Sequence, residues 1–467
     1  MKHSVDASTL HRTAKYFMDN GQVATHAEAM ALLEKFGLNV YTGPELAASL
    51  NHQNALLSLV NMAGRTFLGG IYVLDLPDAP SLSPLAPNRS LKEAVLQLGG
   101  TIIDTAAPAW PSALLGSVAA PASSKPCWRV TWSRWRGGVT PAREEKRLDE
   151  SIAIALAPLL AAAACTAEAF AFHSGNCAMA GRRDQGLSLW SPGRDWLTAD
   201  ATEPALTALP SKLWIIGLGN LGQAFAWTLA SLPYRDESLV TLILNDFDVI
   251  ASSNQSTSLL SEESNVGQKK ARVVARWLEE RGFVTHLEER RFGEWMRPTP
   301  NEPSVALCGV DNALARADLE KPGFGLVVEA GLGAGPEAFR SISMHTFPAS
   351  RKAENIWSAQ VGQTNERVEH MPAYQSLKHA GVDSCGLAQL ASSTVGVPFV
   401  GQIAACHVFA ELLRRLNGGQ AYEVISSSAT ALVDTETVPI AAKPYSFGHL
   451  ETEKVAYIDH SHSIAQE

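Results

Sequence analysis

No two cysteines of this chain stand two residues apart, which removes the commonest signature of a structural zinc site. The six cysteines, Cys127, Cys165, Cys177, Cys308, Cys385 and Cys406, are too scattered over 467 residues to read as a disulfide framework. A reducing cytoplasm is the expected compartment, and no zinc is expected. Positive charge is short as well. The formal net charge is −9, which gives no reason to expect nucleic acid as a partner. The opening residues, MKHSVDASTLHRTAKYF, lack the apolar core of a secretory signal. Long apolar runs are nearly missing. The nearest, SIAIALAPLLAAAACTAEAFAF at 151–172, is mostly alanine, contains Pro158 and carries Glu168. A membrane span wants about 20 strongly apolar residues, so this run reads as a buried helix and no membrane is expected. What is present is ordinary globular material, 46% hydrophobic and 18% charged. At roughly 150 residues per domain, about two to four domains fit.

Residues 1–70 read as helical, with Thr25 and Glu28 forming a capping box and Gly37 placed as the stop. IYVLDL at 71–76 reads as a strand, a second capping box joins Ser90 to Glu93, and GTIID follows as another strand. CWRVTWSRW at 127–135 alternates like a strand, and 192–211 reads as a linker. From 213 the texture changes to buried strands alternating with helices, LWIIGLG, LVTLILNDFD and PSVALCGVDN being the strands. Such alternation implies a parallel sheet covered on both faces. Short strand-like pieces follow 420, and 441–467 reads as a loose tail. No internal repeat is visible.

LWIIGLGNLGQAF places Gly217, Gly219 and Gly222 in a G-x-G-x-x-G spacing between a strand and a helix. That is the context in which glycines let a backbone approach phosphate at a helix N-terminus. Asp246, ending the next strand, is placed to hold a ribose hydroxyl. These features alone suit a nicotinamide dehydrogenase. The residues that follow do not: Asp246 and Asp248 lead to Ser253 and Asn254, then to Lys270, then to Asp311 and Asn312. A lysine and a carboxylate beside phosphates suit attack on ATP with Mg²⁺. Lys270 as a solvated helix lysine and Asp248 as a turn cap stay open as alternatives.

This stretch, over about 205–420, resembles the superfamily of ThiF-like adenylyltransferases and ubiquitin-activating enzymes. The resemblance implies a Rossmann-like adenylation domain at 205–440, with ATP and Mg²⁺ as cofactors. Asp246 would bind the ATP ribose, Asn254 and Lys270 would contact phosphates, and Asp311 would coordinate Mg²⁺. The family's S-N-x-x-R-Q is broken here, because Thr257 stands where its arginine would. Arg65, Arg182 and Arg183 are candidates to replace it, and the sequence does not choose among them.

Cys385 precedes a helix rich in small residues, where the helix dipole stabilises a thiolate able to take an acyl group. The stretch, with Ala391, Ser392 and Gly396, resembles the crossover of compact single-chain enzymes that activate ubiquitin-fold modifiers. Cys308 and Cys406 fall inside predicted core elements and read as structural, and His407 reads as a packed helix residue. The resemblance implies a bacterial activating enzyme, some relatives being linked to antiphage defence. It would adenylate the C-terminus of a ubiquitin-like protein, hold it as a thioester on Cys385 and pass it to a conjugating enzyme. The N-terminal α/β domain at 1–200 would be a degenerate, inactive adenylation-like half or an unrelated recognition domain. The first case favours an internal pseudo-dimer, and a homodimer is the other option. Adenylation of a sulfur carrier, peptide or tRNA without a thioester, a nicotinamide oxidoreductase and a dead scaffold are the competing readings.

Overall fold

The computed structural model describes residues 6–358, 370–440 and 451–456. Two sheets organise it. The first is built from β1 (Gly37–Thr42), β2 (Gly70–Leu74), β3 (Gly100–Ile102), β4 (Ser112–Leu115), β5 (Cys127–Ser133), β6 (Arg136–Pro141) and β7 (Gln185–Ser188). Its order is β3-β2-β1-β4-β5-β6-β7, parallel as far as β5 and antiparallel beyond. A short β8 (Ala208–Pro210) precedes the second sheet. That sheet comprises β9 (Lys212–Ile216), β10 (Thr241–Asn245), β11 (Val284–Glu288), β12 (Val305–Cys308), β13 (Leu326–Leu332), β14 (Ser341–Phe347), β15 (Tyr422–Ser428) and β16 (Glu436–Pro439). Its order is β11-β10-β9-β12-β13-β14-β15-β16, again parallel through the fifth strand and antiparallel after it. The fold is α/β, and its two sheets follow one strand order.

The central strands of the second sheet are apolar runs because both faces are covered, one by a core shared with helices and the other by a smaller cluster that includes Phe292, Met296, Phe324 and Trp357. Leu213, Ile215, Leu242, Leu244 and Leu307 are all fully buried. Two 19-residue helices occupy matching places. Leu156–Ser174 joins β6 to β7, and Pro398–Leu416 joins β14 to β15. They pack on each other, so one core runs through both halves. The alanine-rich run is therefore core, with 89% of its most apolar window buried. The two helices differ in what precedes them. Residues 142–155 lead into the first, whereas 348–397, including Cys385, lead into the second.

The second capping box forms, Ser90 accepting from the Glu93 amide at 3.2 Å and Glu93 from the Ser90 amide at 2.8 Å. The first forms only by half: Thr25 accepts from the Glu28 amide at 3.1 Å, but the Glu28 carboxylate accepts from the Ala24 amide at 2.8 Å rather than from Thr25. Three further expectations need correction. Residues 1–70 are not all helical, because Gly37 opens the central strand β1 rather than ending a helix. Asn39 in that strand is satisfied by the loop at Ala107, accepting from its amide at 2.9 Å and donating to its carbonyl at 3.0 Å. A polar residue supported from outside the strand hides it from pattern reading. Much of 192–211 is exposed, as a linker would be, but Trp196 is only 1% exposed and Ala208–Pro210 form β8. The tail expected at 441–467 lies largely outside the described residues, but Thr452–Lys454 form β17, antiparallel to β8.

Candidate functional site

A cavity of about 1060 Å³ opens at the C-terminal ends of β9, β10 and β12. This is where open parallel sheets hold ligands. The glycine turn forms its floor. Gly217 has φ +82°, a value that favours glycine, and its amide donates to the Asn245 carbonyl at 2.9 Å. A Cβ on Gly222 would fall 1.9 Å from the Gly217 carbonyl oxygen, so this glycine lets the helix Asn220–Ala230 start tight against the turn. A Cβ on Gly219 would meet nothing, because Gly219 faces the cavity. No side chain caps that helix, which leaves its first amides for an anion.

Gly217, Gly219, Asp246, Asp248, Asn254, Lys270 and Asp311 all line the cavity, and Gly222 supports it from beneath. Asp246 accepts from the amides of Leu218 at 2.7 Å and Asp248 at 2.8 Å, which fixes its carboxylate at the rim. The Lys270 ammonium is held by Asp248 at 3.0 Å. Asp248 and Lys270 are thus paired at the cavity lining. Asn254 accepts from the Ala251 amide at 2.9 Å, shaping the loop before Thr257.

None of Arg65, Arg182 and Arg183 lines the cavity. Arg65 instead donates to the carbonyls of Gln255, Leu259 and Ser261. Arg183 pairs with Glu168 at 2.9 Å. Arg12, which sequence reasoning missed, does line the cavity near Thr257, and its guanidinium donates to the carbonyls of Ala7 and Thr394 at 3.5 Å. Its amide donates to Ser256 at 3.1 Å. A Cβ on Gly396 would touch Thr257 at 2.8 Å and Arg12 at 3.7 Å, so the three meet at one corner. Burial lowers the Arg12 pKa, and the charge of Asp311 works against that shift. The helix Arg12–Asp19 is anchored by a buried cluster. Lys15 donates to Asp19 at 2.7 Å and to the Tyr374 hydroxyl at 2.8 Å, and that hydroxyl donates to Asp19 at 2.6 Å. Tyr374 lies on the crossover helix Pro372–His379. No local signal marks Arg12, because it arrives from the other end of the chain.

Cys385 is exposed in the first turn of the helix Ser384–Ser392. Asp383 caps that helix, accepting from the Gly386 amide at 2.7 Å. Cys385 does not line the cavity, although Thr394, Val395 and Gly396, just beyond its helix, do. Cys308 and Cys406 are fully buried, and burial pushes both thiols up to about 12.

Models of the BilD N-terminal domain and BilD C-terminal domain families match residues 37–189 and 209–419. The chain is 56% identical over 449 residues to the bacterial E1-like protein BilD of Collimonas sp. (strain OK412), covering 96% of this chain and 97% of that protein. It is 31% identical over 108 residues to the NEDD8-activating enzyme E1 catalytic subunit of Caenorhabditis elegans, 23% of this chain and 24% of that one. A crystal structure of E. coli MccB aligns at a TM-score of 0.33 and 13% identity, over 54% of this chain and 68% of that one.

Proposed function

This chain belongs to the BilD family of bacterial E1-like proteins, and from that membership we propose that it activates the C-terminal carboxylate of a ubiquitin-like protein with ATP. The observation that carries the reading is the meeting of the glycine turn, Asp246, Lys270, Asp311 and Arg12 in one cavity. Asp246 would hold the ribose. The turn and helix amides, with Asn254 and Lys270, would hold the phosphates. Arg12 would supply the charge absent at Thr257. The substrate carboxylate oxygen would attack the α-phosphorus, breaking its bond to the β-phosphate and releasing pyrophosphate. Asp311 is exposed in the cavity and fits one carboxylate ligand of a Mg²⁺ that would neutralise phosphate charge.

Cys385 sulfur would then attack the acyl carbonyl, expelling AMP and leaving a thioester for a conjugating enzyme. A second reading is adenylation without a thioester, favoured by the position of Cys385 outside the cavity lining.

The shared strand order supports reading the N-terminal half as a degenerate copy and the chain as an internal pseudo-dimer. Its corresponding crevice holds the chain's own Glu45 carboxylate, which accepts from the Ser117 amide at 2.8 Å and pairs with Arg147 at 3.3 Å. Burial raises that carboxyl, but the Ser117 and Arg147 bonds prevail and hold it at about 2.

The test is a non-reducing gel of wild type and Cys385→Ala with Mg·ATP and a small ubiquitin-like protein with a free C-terminus. A thiol-sensitive adduct in wild type alone supports the thioester. Pyrophosphate release without an adduct favours the second reading. Neither product, with ATP binding also missing, ends the adenylation reading.

A further inference from the structure

The wall facing the nucleotide side of the cavity comes from the antiparallel end of the second sheet. Ser343 and His345 are two apart on β14, so both project from one face. Across the ladder His345 lies opposite Glu329, and Ser343 lies opposite Gly331. His345 Nδ1 is 3.0 Å from Glu329 Oε2, and its Nε2 is 3.4 Å from Ser343 Oγ. Glu329 is fully buried and pairs with Arg316, whose guanidinium stacks 3.5 Å from the Trp357 ring. Gly331 makes the room for this: a Cβ there would fall 1.9 Å from Arg316 Nη2.

A carboxylate paired with arginine only accepts. In the neutral imidazole Nδ1 therefore carries the hydrogen, and Nε2 is the acceptor that faces the hydroxyl. Hydroxyl, imidazole and carboxylate in this order are the arrangement that activates a serine. The 3.4 Å gap suits a site without substrate, since such bonds tighten in the reacting complex. Ser343, His345 and Arg316 line the cavity, whereas Cys385 does not.

We propose that Ser343, His345 and Glu329 form a second acyl acceptor that hydrolyses acyl adenylates left in this cavity. The substrate named here rests on the adenylation reading, but the activated hydroxyl does not. Ser343 Oγ attacks the acyl carbonyl, its proton passes to His345 Nε2, and the acyl–phosphate bond breaks. AMP leaves and carries that proton away. His345 then takes a proton from water, the resulting hydroxide attacks the ester, and the proton returns to Ser343 Oγ as its bond to carbon breaks. The net change is acyl adenylate plus water to carboxylic acid plus AMP.

The first test uses a fluorophosphonate probe, which needs neither ATP nor carrier, with mass spectrometry of the labelled peptide. Ser343 should form the adduct with loss of fluoride. Labelling should slow roughly a hundredfold in His345→Gln and vanish in Ser343→Ala, a variant expected to melt like wild type. No adduct on folded wild type, or an equal rate in His345→Gln, overturns the proposal. The second test uses Cys385→Ala with Mg·ATP and the same small protein. AMP should accumulate, and adding Ser343→Ala should cut it at least about tenfold while ATP–pyrophosphate exchange persists. Unchanged AMP release overturns the hydrolytic role. Exchange missing from both proteins fails the adenylation reading instead, and the labelling result still decides the relay.

Discussion

Arg12 and Thr257 come together from distant parts of the chain, and we propose that Arg12 answers for the arginine missing at 257. Thr257 breaks the motif, and its side chain touches the corner into which Arg12 reaches. If Arg12 supplies charge to the phosphates, Arg12→Ala should lower ATP–pyrophosphate exchange on the order of a thousandfold with the melting temperature almost unchanged. Arg65→Ala should do the opposite. Its guanidinium holds three loop carbonyls, so its loss should cost stability before activity. Equal exchange rates in Arg12→Ala and wild type would remove Arg12 from the site. Sequence could name Asp246, Asn254, Lys270 and Asp311 because each falls within a local motif, and the fold brings all four to the cavity. It could not name Arg12, whose place depends on the buried contact of Lys15 and Asp19 with Tyr374. Nor could it separate Ser343 and His345 from ordinary strand residues, because their partner Glu329 lies on another strand.

Elements were legible where one contiguous segment carried its own pattern. The β9–turn–helix unit is such a case, and β1 is the counter-case. The helix Pro398–Leu416 adds a testable property. His407 is fully buried within it, and neither ring nitrogen has a hydrogen-bond partner among the described residues. Burial drives its pKa from 6.5 down to about 3. The folded value lies below the unfolded one, so the unfolded chain binds the proton first as pH falls. The stabilising effect of the neutral ring is complete above about 6.5 and is lost progressively between 6.5 and 3. The slope is about 1.4 kcal/mol per pH unit. Urea unfolding at pH 7 and pH 5 should show wild type losing at least about 1 kcal/mol more than His407→Leu over that interval. Parallel losses in the two proteins would mean that His407 is protonated, or reached by water, in the folded state.

At the scale of the molecule, two sheets repeat one strand order while their sequences share no visible repeat. The turn after β9 uses Gly217 and Gly222 to start a helix tight against the strand end, whereas the turn after β1 places Glu45 against Ser117 and Arg147. Diverged demands at the same position erase the repeat from the sequence and leave it in the topology. The halves are also joined physically. Phe170, on the first long helix, stands 5.8 Å ring to ring from Phe399 on the second. The Trp227 indole N–H donates to Ser58 at 2.9 Å across the same boundary. With one core, the halves should unfold together. Phe399→Ala should cost about 3–5 kcal/mol, because its ring is fully buried against the opposite half. Calorimetry should show a single transition moved to lower temperature. Hydrogen exchange should speed up in β1 and β5 as well as in β9 and β12. Faster exchange confined to the second sheet would show that each half carries its own stability, and the shared helix pair would then be a docking contact between two independent domains.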